Sequence, residues 1–167
     1  MSGWLRRRPM LVLFGGVLLA MAVMVSALRW RAWTAPPPAG AGPAPAAGDR
    51  EQARFHLCGH KWRDDCVVDG DTIHYHGDRI RIADINAPEV SEPQCDHELD
   101  LGEAATDRLL VLLNAGRFTL VPLPDRDEDV YGRKLRSITR GGESLGMVLV
   151  REGLAETWRG FRRDWCN

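Results

Sequence analysis

Apolar and polar positions divide the chain into three stretches of different character. Met10 to Leu28 is a 19-residue apolar run broken only by Ser26 and two glycines. Thr34 to Gly48 is dominated by Pro, Ala and Gly. Beyond it, short alternating runs and two helical periods follow one another. Phe55–Leu57 and Cys66–Val68 read as short strands. Thr72–His76 and Arg79–Ile85 alternate and predict a hairpin, with Gly77-Asp78 as its turn. Glu89 to Asp100 has no apolar period and predicts a loop. Gly102–Asn114 places Ala105, Leu109, Leu112 and Leu113 on one face, and Asn114-Ala115-Gly116 ends that helix. Phe118–Val121 and Lys134–Thr139 predict two more strands, with a turn at Gly141-Gly142. Ser144 caps a second helix running to about Glu152. The tail from Leu154 to Asn167 holds Trp158, Phe161 and Trp165.

About five strands and two or three helices in such a length predict an α+β domain, mainly β: a five-stranded Greek-key barrel of the OB type with helices packed on it. The expected organisation is an N-terminal membrane segment over residues 1–33, a semi-extended linker over 34–49, and the folded domain over 50–167. The 19-residue run is near the roughly 20 residues that cross a bilayer and longer than a signal-peptide core. Arg6, Arg7 and Arg8 precede it, and Trp4, Trp30 and Trp33 flank it, as a single transmembrane helix with a cytoplasmic N-terminus requires. Cleavage after a signal peptide, near Val25-Ser26-Ala27, is the competing reading. Either way the domain faces the periplasm or the exterior.

Charge changes the picture. All 23 acidic residues, but only 17 of the 22 basic ones, lie after residue 48, so the domain carries −6. A protein that grips nucleic acid by bulk charge is basic. Any such contact here needs a local basic site and a metal. The four cysteines, Cys58, Cys66, Cys95 and Cys166, all lie in the domain. An even count in an exported protein predicts two disulfides. Of three pairings, the one adopted joins Cys58 to Cys66 and Cys95 to Cys166.

The segment Val67–Glu89 concentrates the chemistry. Asp69 and Asp71 flank Gly70 in a turn, Arg81 lies in the next alternating run, and Asn86 and Glu89 bracket Pro88. Oxygen ligands for a hard cation, a guanidinium and one further carboxylate are the parts that cleave a phosphodiester with a divalent metal.

Four motifs in series resemble the staphylococcal nuclease (thermonuclease) family. Val68-Asp69-Gly70-Asp71-Thr72 matches its first metal motif. Arg81 stands at its first catalytic arginine, and Asn86-Ala87-Pro88-Glu89 matches its Asp-(Thr/Ala)-Pro-Glu motif. Asp129–Arg133 matches its Tyr-Gly-Arg segment, and Leu149–Ala155 resembles its last core helix. The match spans about Val67 to Ala155. Two departures stand out. Asn86 replaces the usual Asp ligand, and a tail ending in Trp165-Cys166 replaces the long final helix.

The resemblance implies a Ca²⁺ site built from Asp71, the Asn86 amide oxygen and the Ala87 carbonyl. It implies Glu89 as the carboxylate that activates water, and Arg81 and Arg133 as the guanidinia on the scissile phosphate. Tyr131 is expected to bind the phosphate or to pack, and Asp69 to play a supporting role. Trp158 and Trp165 are candidates for base stacking or packing. Arg79, Arg136 and Arg140 read as surface ion-pair residues and Asp125–Asp129 as a solvated loop. His74 and His76, with Cys58, His60 and Cys66, sketch a zinc site whose spacing fits no common motif.

The expected function is Ca²⁺-dependent hydrolysis of DNA or RNA outside the cytoplasm, with single strands preferred and 3′-phosphate ends produced. The rival is a non-catalytic OB-type module, tethered to the membrane, that binds nucleic acid or protein. Asn86 and the negative charge favour it, whereas the complete set of Asp71, Arg81, Glu89 and Arg133 opposes it. An exported enzyme for another phosphodiester is a third reading.

Overall fold

Short alternating strands can bury only one face each, so they must roll around a common core. In a computed structural model, residues 42–59 and 64–167 are described. The expected membrane segment, its flanking tryptophans and the first half of the linker lie outside the described residues, as does His60. Among the described residues no helix is long and apolar enough to cross a membrane.

The strands are β1 (His56–Leu57), β2 (Cys66–Asp69), β3 (Thr72–Tyr75), β4 (Asp78–Ile82), β5 (Ile85–Asn86), β6 (Thr119–Pro122), β7 (Lys134–Arg140), β8 (Glu143–Ser144) and β9 (Glu156–Thr157). Among the described residues the helices are α1 (Asp96–Asn114) and α2 (Leu145–Arg151). The sheet runs β1-β2-β3-β4-β7-β6, with β8 on β7, while β5 and β9 form a separate pair. β4 and β7 are parallel, and β2-β3, β3-β4 and β6-β7 are antiparallel. The segment before β2 touches both ends of this sheet. Glu51 bridges to Phe118 at the start of β6, and His56–Leu57 pairs with β2. This mixed α+β arrangement is consistent with the OB type.

The five longer strands and β1 are those expected, and the two-residue strands β5, β8 and β9 are added to them. Three boundaries differ from expectation. The run Arg79–Ile85 is not one strand: β4 stops at Ile82, and Ile85 restarts as β5 against β9. Asp84 makes the break, accepting hydrogen bonds at its carboxylate from Ser144 and at its carbonyl from the Trp158 N–H. The first hairpin turns at His76-Gly77, both with positive φ, because Tyr75 pairs with Asp78. His76 therefore leaves the strand and pairs with Asp65. The third difference is α1, which starts at Asp96, inside the expected loop. Its first turn shows no apolar period because Glu98 turns towards the preceding loop, where it accepts from the N–H groups of Gln94 (2.7 Å) and Glu89 (3.4 Å). Asp96 and Glu98 also suit the positive end of the helix.

The core joins Val67, Ile73, Ile80, Ile82 and Ile138 of the sheet to Ala105, Leu109, Leu112 and Leu113 of α1 and Leu145 and Leu149 of α2. Each large side chain fully buried there contributes about 1.5–3 kcal/mol. Phe55, Tyr75 and Phe118 form an aromatic cluster with centroids 5.6–6.0 Å apart. The Asn114 side chain accepts from the Phe55 N–H and donates to its carbonyl, fixing the end of α1 to the chain entering β1. Ser144 caps α2 by accepting from the Met147 N–H.

Arg140 is not a surface residue. It is fully buried and donates to the carbonyls of Leu113, Gly116 and Arg117, the groups that the end of α1 leaves without helical partners. Arg136 does form the expected kind of ion pair, with Asp127. The disulfides are Cys58–Cys66 and Cys95–Cys166, as adopted from the sequence. With Cys58 and Cys66 joined, they are not free as zinc ligands.

Candidate active site

The turn between β2 and β3 must pass close under two other segments. A Cβ on Gly70 would lie 2.7 Å from the Cβ atoms of both Ala87 and Ala105, so only glycine fits. This approach brings Asp71 beneath the loop after β5. Its Oδ2 accepts from the Ala87 N–H at 3.2 Å, and its Oδ1 accepts from the Thr72 hydroxyl at 3.0 Å. Asp69 supports the turn by accepting from the Asp71 N–H at 3.0 Å.

Arg81 enters from β4, where its backbone pairs with Thr72. Its Nη2 lies 3.2 Å from Asp71 Oδ2. Its Nη1 donates to the carbonyls of Ile82 (2.7 Å) and Ile85 (3.1 Å). The guanidinium also sits 5.0 Å over the Trp158 ring. Four contacts therefore fix one planar cation before any substrate arrives.

Asn86 and Ala87 are buried where β5 pairs with β9. Glu89 follows on a loop pressed against α1. A Cβ on Gly102 would meet the carbonyl oxygens of Pro88 at 3.0 Å and Glu89 at 3.1 Å, so glycine sets the height of that loop. The half-buried Glu89 side chain faces Arg162 of the tail, Oε1 to Nη1 at 2.6 Å.

Arg133 is held from a separate loop. Asp129 Oδ2 accepts from its Nε at 2.7 Å, and Oδ1 accepts from the N–H groups of Tyr131 and Arg133. Burial alone would raise the Asp129 carboxyl, but these donors outweigh it and hold the group below its ordinary value. The Nη edge of Arg133 stays clear of that bond, and its guanidinium lies 5.4 Å from the Tyr131 ring centre.

Arg81, Arg133 and Tyr131 line one open cavity of about 420 Å³, joined there by Arg126, Trp158 and Arg162. Asp71 adjoins it through Arg81, and Glu89 through Arg162. Asp69, Asp71 and Glu89 crowd negative charge at one side. Burial first, then the neighbouring Asp71 and Glu89 charges, push the half-buried Asp69 carboxyl up to about 7, against the opposing Asp71 N–H. A divalent cation at Asp71, Asn86 and Ala87 would relieve that surplus. Carboxylate and amide oxygens are the donors a hard cation takes. Among the described residues no three of His, Cys, Asp and Glu gather as a metal cluster. A cation here would rest on Asp71, neutral oxygens and water.

A family model described as staphylococcal nuclease homologue matches residues 79–166, more than half of the chain. The chain belongs to the staphylococcal nuclease family. The family match takes in Arg81, Asn86, Glu89 and Arg133, while Asp69 and Asp71 lie just before it. Among curated proteins of Bacillus subtilis (strain 168), endonuclease YhcR is 36% identical over an alignment of 104 residues that covers 56% of this chain and 8% of that protein. The SPbeta prophage-derived endonuclease YokF is 37% identical over 95 residues, covering 54% of this chain and 32% of YokF. Endonuclease YncB is 35% identical over 95 residues, covering 54% of this chain and 44% of YncB. The chain thus spans less than half the length of each of these relatives.

Several residues around this nuclease-family site carried no sequence signal of their own. Asp129 did carry one, since it stands four residues before Arg133, a spacing at which opposite charges can meet. Glu98 was hidden by the polar first turn of α1. Trp158 is a wall of the cavity, whereas Trp165 is buried under Arg163. Arg126 and Arg162 come from remote, irregular segments, and only the fold brings them to Arg81.

Proposed function

We propose that this domain hydrolyses phosphodiester bonds in DNA or RNA, with Ca²⁺ as the metal, outside the cytoplasm. The observation that carries the reading is the convergence of two immobilised guanidinia, Arg81 and Arg133, on one cavity beside Asp71 and Glu89. A binding module has no need to fix both arginines by separate acids and also to hold a carboxylate on a glycine-set loop next to them. The named endonucleases among its relatives support the same reaction class.

In this reading Arg81 and Arg133 take the scissile phosphate between them. Planar forks match phosphate oxygens and stabilise the charge that builds up in the transition state. Glu89 orients a water in line with the P–O5′ bond and takes its proton. The water oxygen bonds to phosphorus and the P–O5′ bond breaks. The departing 5′-oxygen accepts a hydrogen bond from Arg133 and a proton from solvent, so the phosphate remains on the 3′ side. Asp71, Asn86 and Ala87 would hold the Ca²⁺, which supplies positive charge to the phosphate oxygens. Tyr131, exposed at the rim, contacts the substrate. Single strands fit best, because an open rim with exposed aromatic groups favours unstacked nucleotides. Residues 1–33 anchor the chain in the membrane in this reading.

The test is cleavage of single-stranded DNA by the full chain, purified under oxidising conditions, with Ca²⁺ and with EDTA. Ca²⁺-dependent cleavage that is lost in Glu89→Gln and Arg133→Ala supports the reading. A folded protein inactive at millimolar Ca²⁺ overturns it in favour of the binding module.

A further inference from the structure

The cavity holds more positive charge than one phosphate needs. Four guanidinia line it, those of Arg81, Arg126, Arg133 and Arg162, against a single acidic lining residue, Asp129. Arg81 and Arg133 are locked by Asp71 and Asp129. The other two are held differently. Arg126 is exposed on the loop between β6 and β7 and makes no ion pair or hydrogen bond among the described residues. Arg162 is exposed and, among the described residues, pairs only with Glu89. An exposed pair of this kind is weak, so an entering phosphate can take the guanidinium without a large loss.

The tail that carries Arg162 is fixed at both ends. Upstream, the Trp158 N–H donates to the Asp84 carbonyl at 2.9 Å. Downstream, Cys166 is bonded to Cys95. Arg162 therefore reaches the cavity from a short span fixed at both ends, and Arg126 lines the same cavity from another loop. The cavity, at about 420 Å³, is large enough for more than one phosphate group. The domain as a whole is acidic, so attraction to a polyanion has to come from such a local cluster.

We propose that Arg126 and Arg162 form a second phosphate subsite, which holds the phosphate next to the scissile one. The ligand class is an oligonucleotide strand with at least two consecutive phosphodiesters. This deepens the proposed nuclease reading and rests on it for the name of the first site, although the second site can be read by binding alone.

The experiment compares the full chain with Arg126→Ala, Arg162→Ala and the double variant, alongside Arg126→Lys. Cleavage of the thymidine dinucleotide with one phosphodiester is set against the trinucleotide with two. The expected result is a fall of about tenfold in the trinucleotide-to-dinucleotide ratio of kcat/KM for the double variant, as for a lost charge-assisted contact, with partial recovery in Arg126→Lys. Arg162→Ala also frees Glu89, and the ratio cancels any resulting loss common to both substrates. In parallel, anisotropy of a labelled thymidine octamer is measured across a salt series. Two lost phosphate contacts should lower the salt slope by about 1.4. An unchanged ratio, or an unchanged salt slope, overturns the subsite. If neither substrate is cleaved, the nuclease reading fails by itself, and the octamer binding still decides the subsite.

Discussion

Arg81 and Asp71 share one contact that ties the turn before β3 to β4: Nη2 of the arginine lies 3.2 Å from the carboxylate that also receives the Ala87 N–H. One carboxylate oxygen thus organises both a guanidinium and the loop that leads to Glu89. Replacing Arg81 by Lys keeps the charge but cannot reproduce the donors to Ile82 and Ile85 and the contact with Asp71. The expected outcome is a fall in kcat of about 10²–10³-fold, the range for removing one fixed transition-state donor. Single-turnover kinetics at saturating substrate check it.

Asn86 is buried, and the amide supplies no charge to a cation beside it. Asn86→Asp should tighten Ca²⁺ binding, by about tenfold for each 1.4 kcal/mol of added attraction. Without metal the same substitution buries a fourth carboxylate near Asp69, Asp71 and Glu89. Its melting temperature should therefore fall in EDTA and recover in Ca²⁺. Calcium titration by calorimetry and paired thermal melts read both effects.

Gly102 limits how closely α1 approaches the loop bearing Glu89. Gly102→Ala must push the Pro88 and Glu89 carbonyls outward by a few tenths of an ångström, because both are backbone atoms. The expected result is a fall of about tenfold in kcat, less than the 10²-fold of a full 1 Å misplacement. A urea titration should show a smaller effect on stability than on rate.

The two disulfides close loops of very different size, with sequence separations of 8 and 71. In the chain-entropy model, removing Cys95–Cys166 costs about 4 kcal/mol and removing Cys58–Cys66 about 2.5 kcal/mol. Urea unfolding of Cys166→Ser paired with Cys95→Ser, and of the other pair, measures the difference. An equal loss from both would show that native contacts, not loop closure, dominate.

Arg108 of α1 and Glu152 at the end of α2 meet as a fork, with both N···O distances 2.7 Å. Donation from Arg108 lowers the Glu152 carboxyl below its ordinary value. A carboxyl lowered on folding adds stability that is complete above its unfolded value and is lost as pH falls through the folded one. Stability should therefore drop as pH decreases below about 4.5, near the unfolded Glu value. Glu152→Gln should flatten part of that decline. Denaturant midpoints between pH 3 and 7 test the sign.

The five longer strands, and the motifs in which the candidate residues Asp71, Arg81, Glu89 and Arg133 stand, were legible because each sits in local pattern: alternation, glycine turns, a helical period. The start of α1 was not legible, since Glu98 faces a loop and not the core, and a period-based reading looks for buried apolar groups. Arg140 was misread for a related reason. Its burial depends on the open carbonyl end of a helix 23–27 residues upstream, which no neighbouring residue announces. The split of Arg79–Ile85 turned on Asp84 finding Ser144 and Trp158, both far along the chain. Arg126 and Arg162 show the general limit: charge on irregular segments has a meaning only once the fold has decided what it faces.

The bridge of Glu51 to Phe118, with β1 on β2, also decides where mechanical load would enter the domain. Asp49 accepts from the N–H groups of Ala46 and Gly141 and from the Thr119 hydroxyl, just ahead of that bridge. Tension transmitted along the preceding chain would first meet these bonds and the seam of the sheet. It would reach the arginine-lined cavity only after the seam had opened. Pulling on the polypeptide upstream of residue 49 should therefore leave substrate turnover intact up to the force that parts the seam.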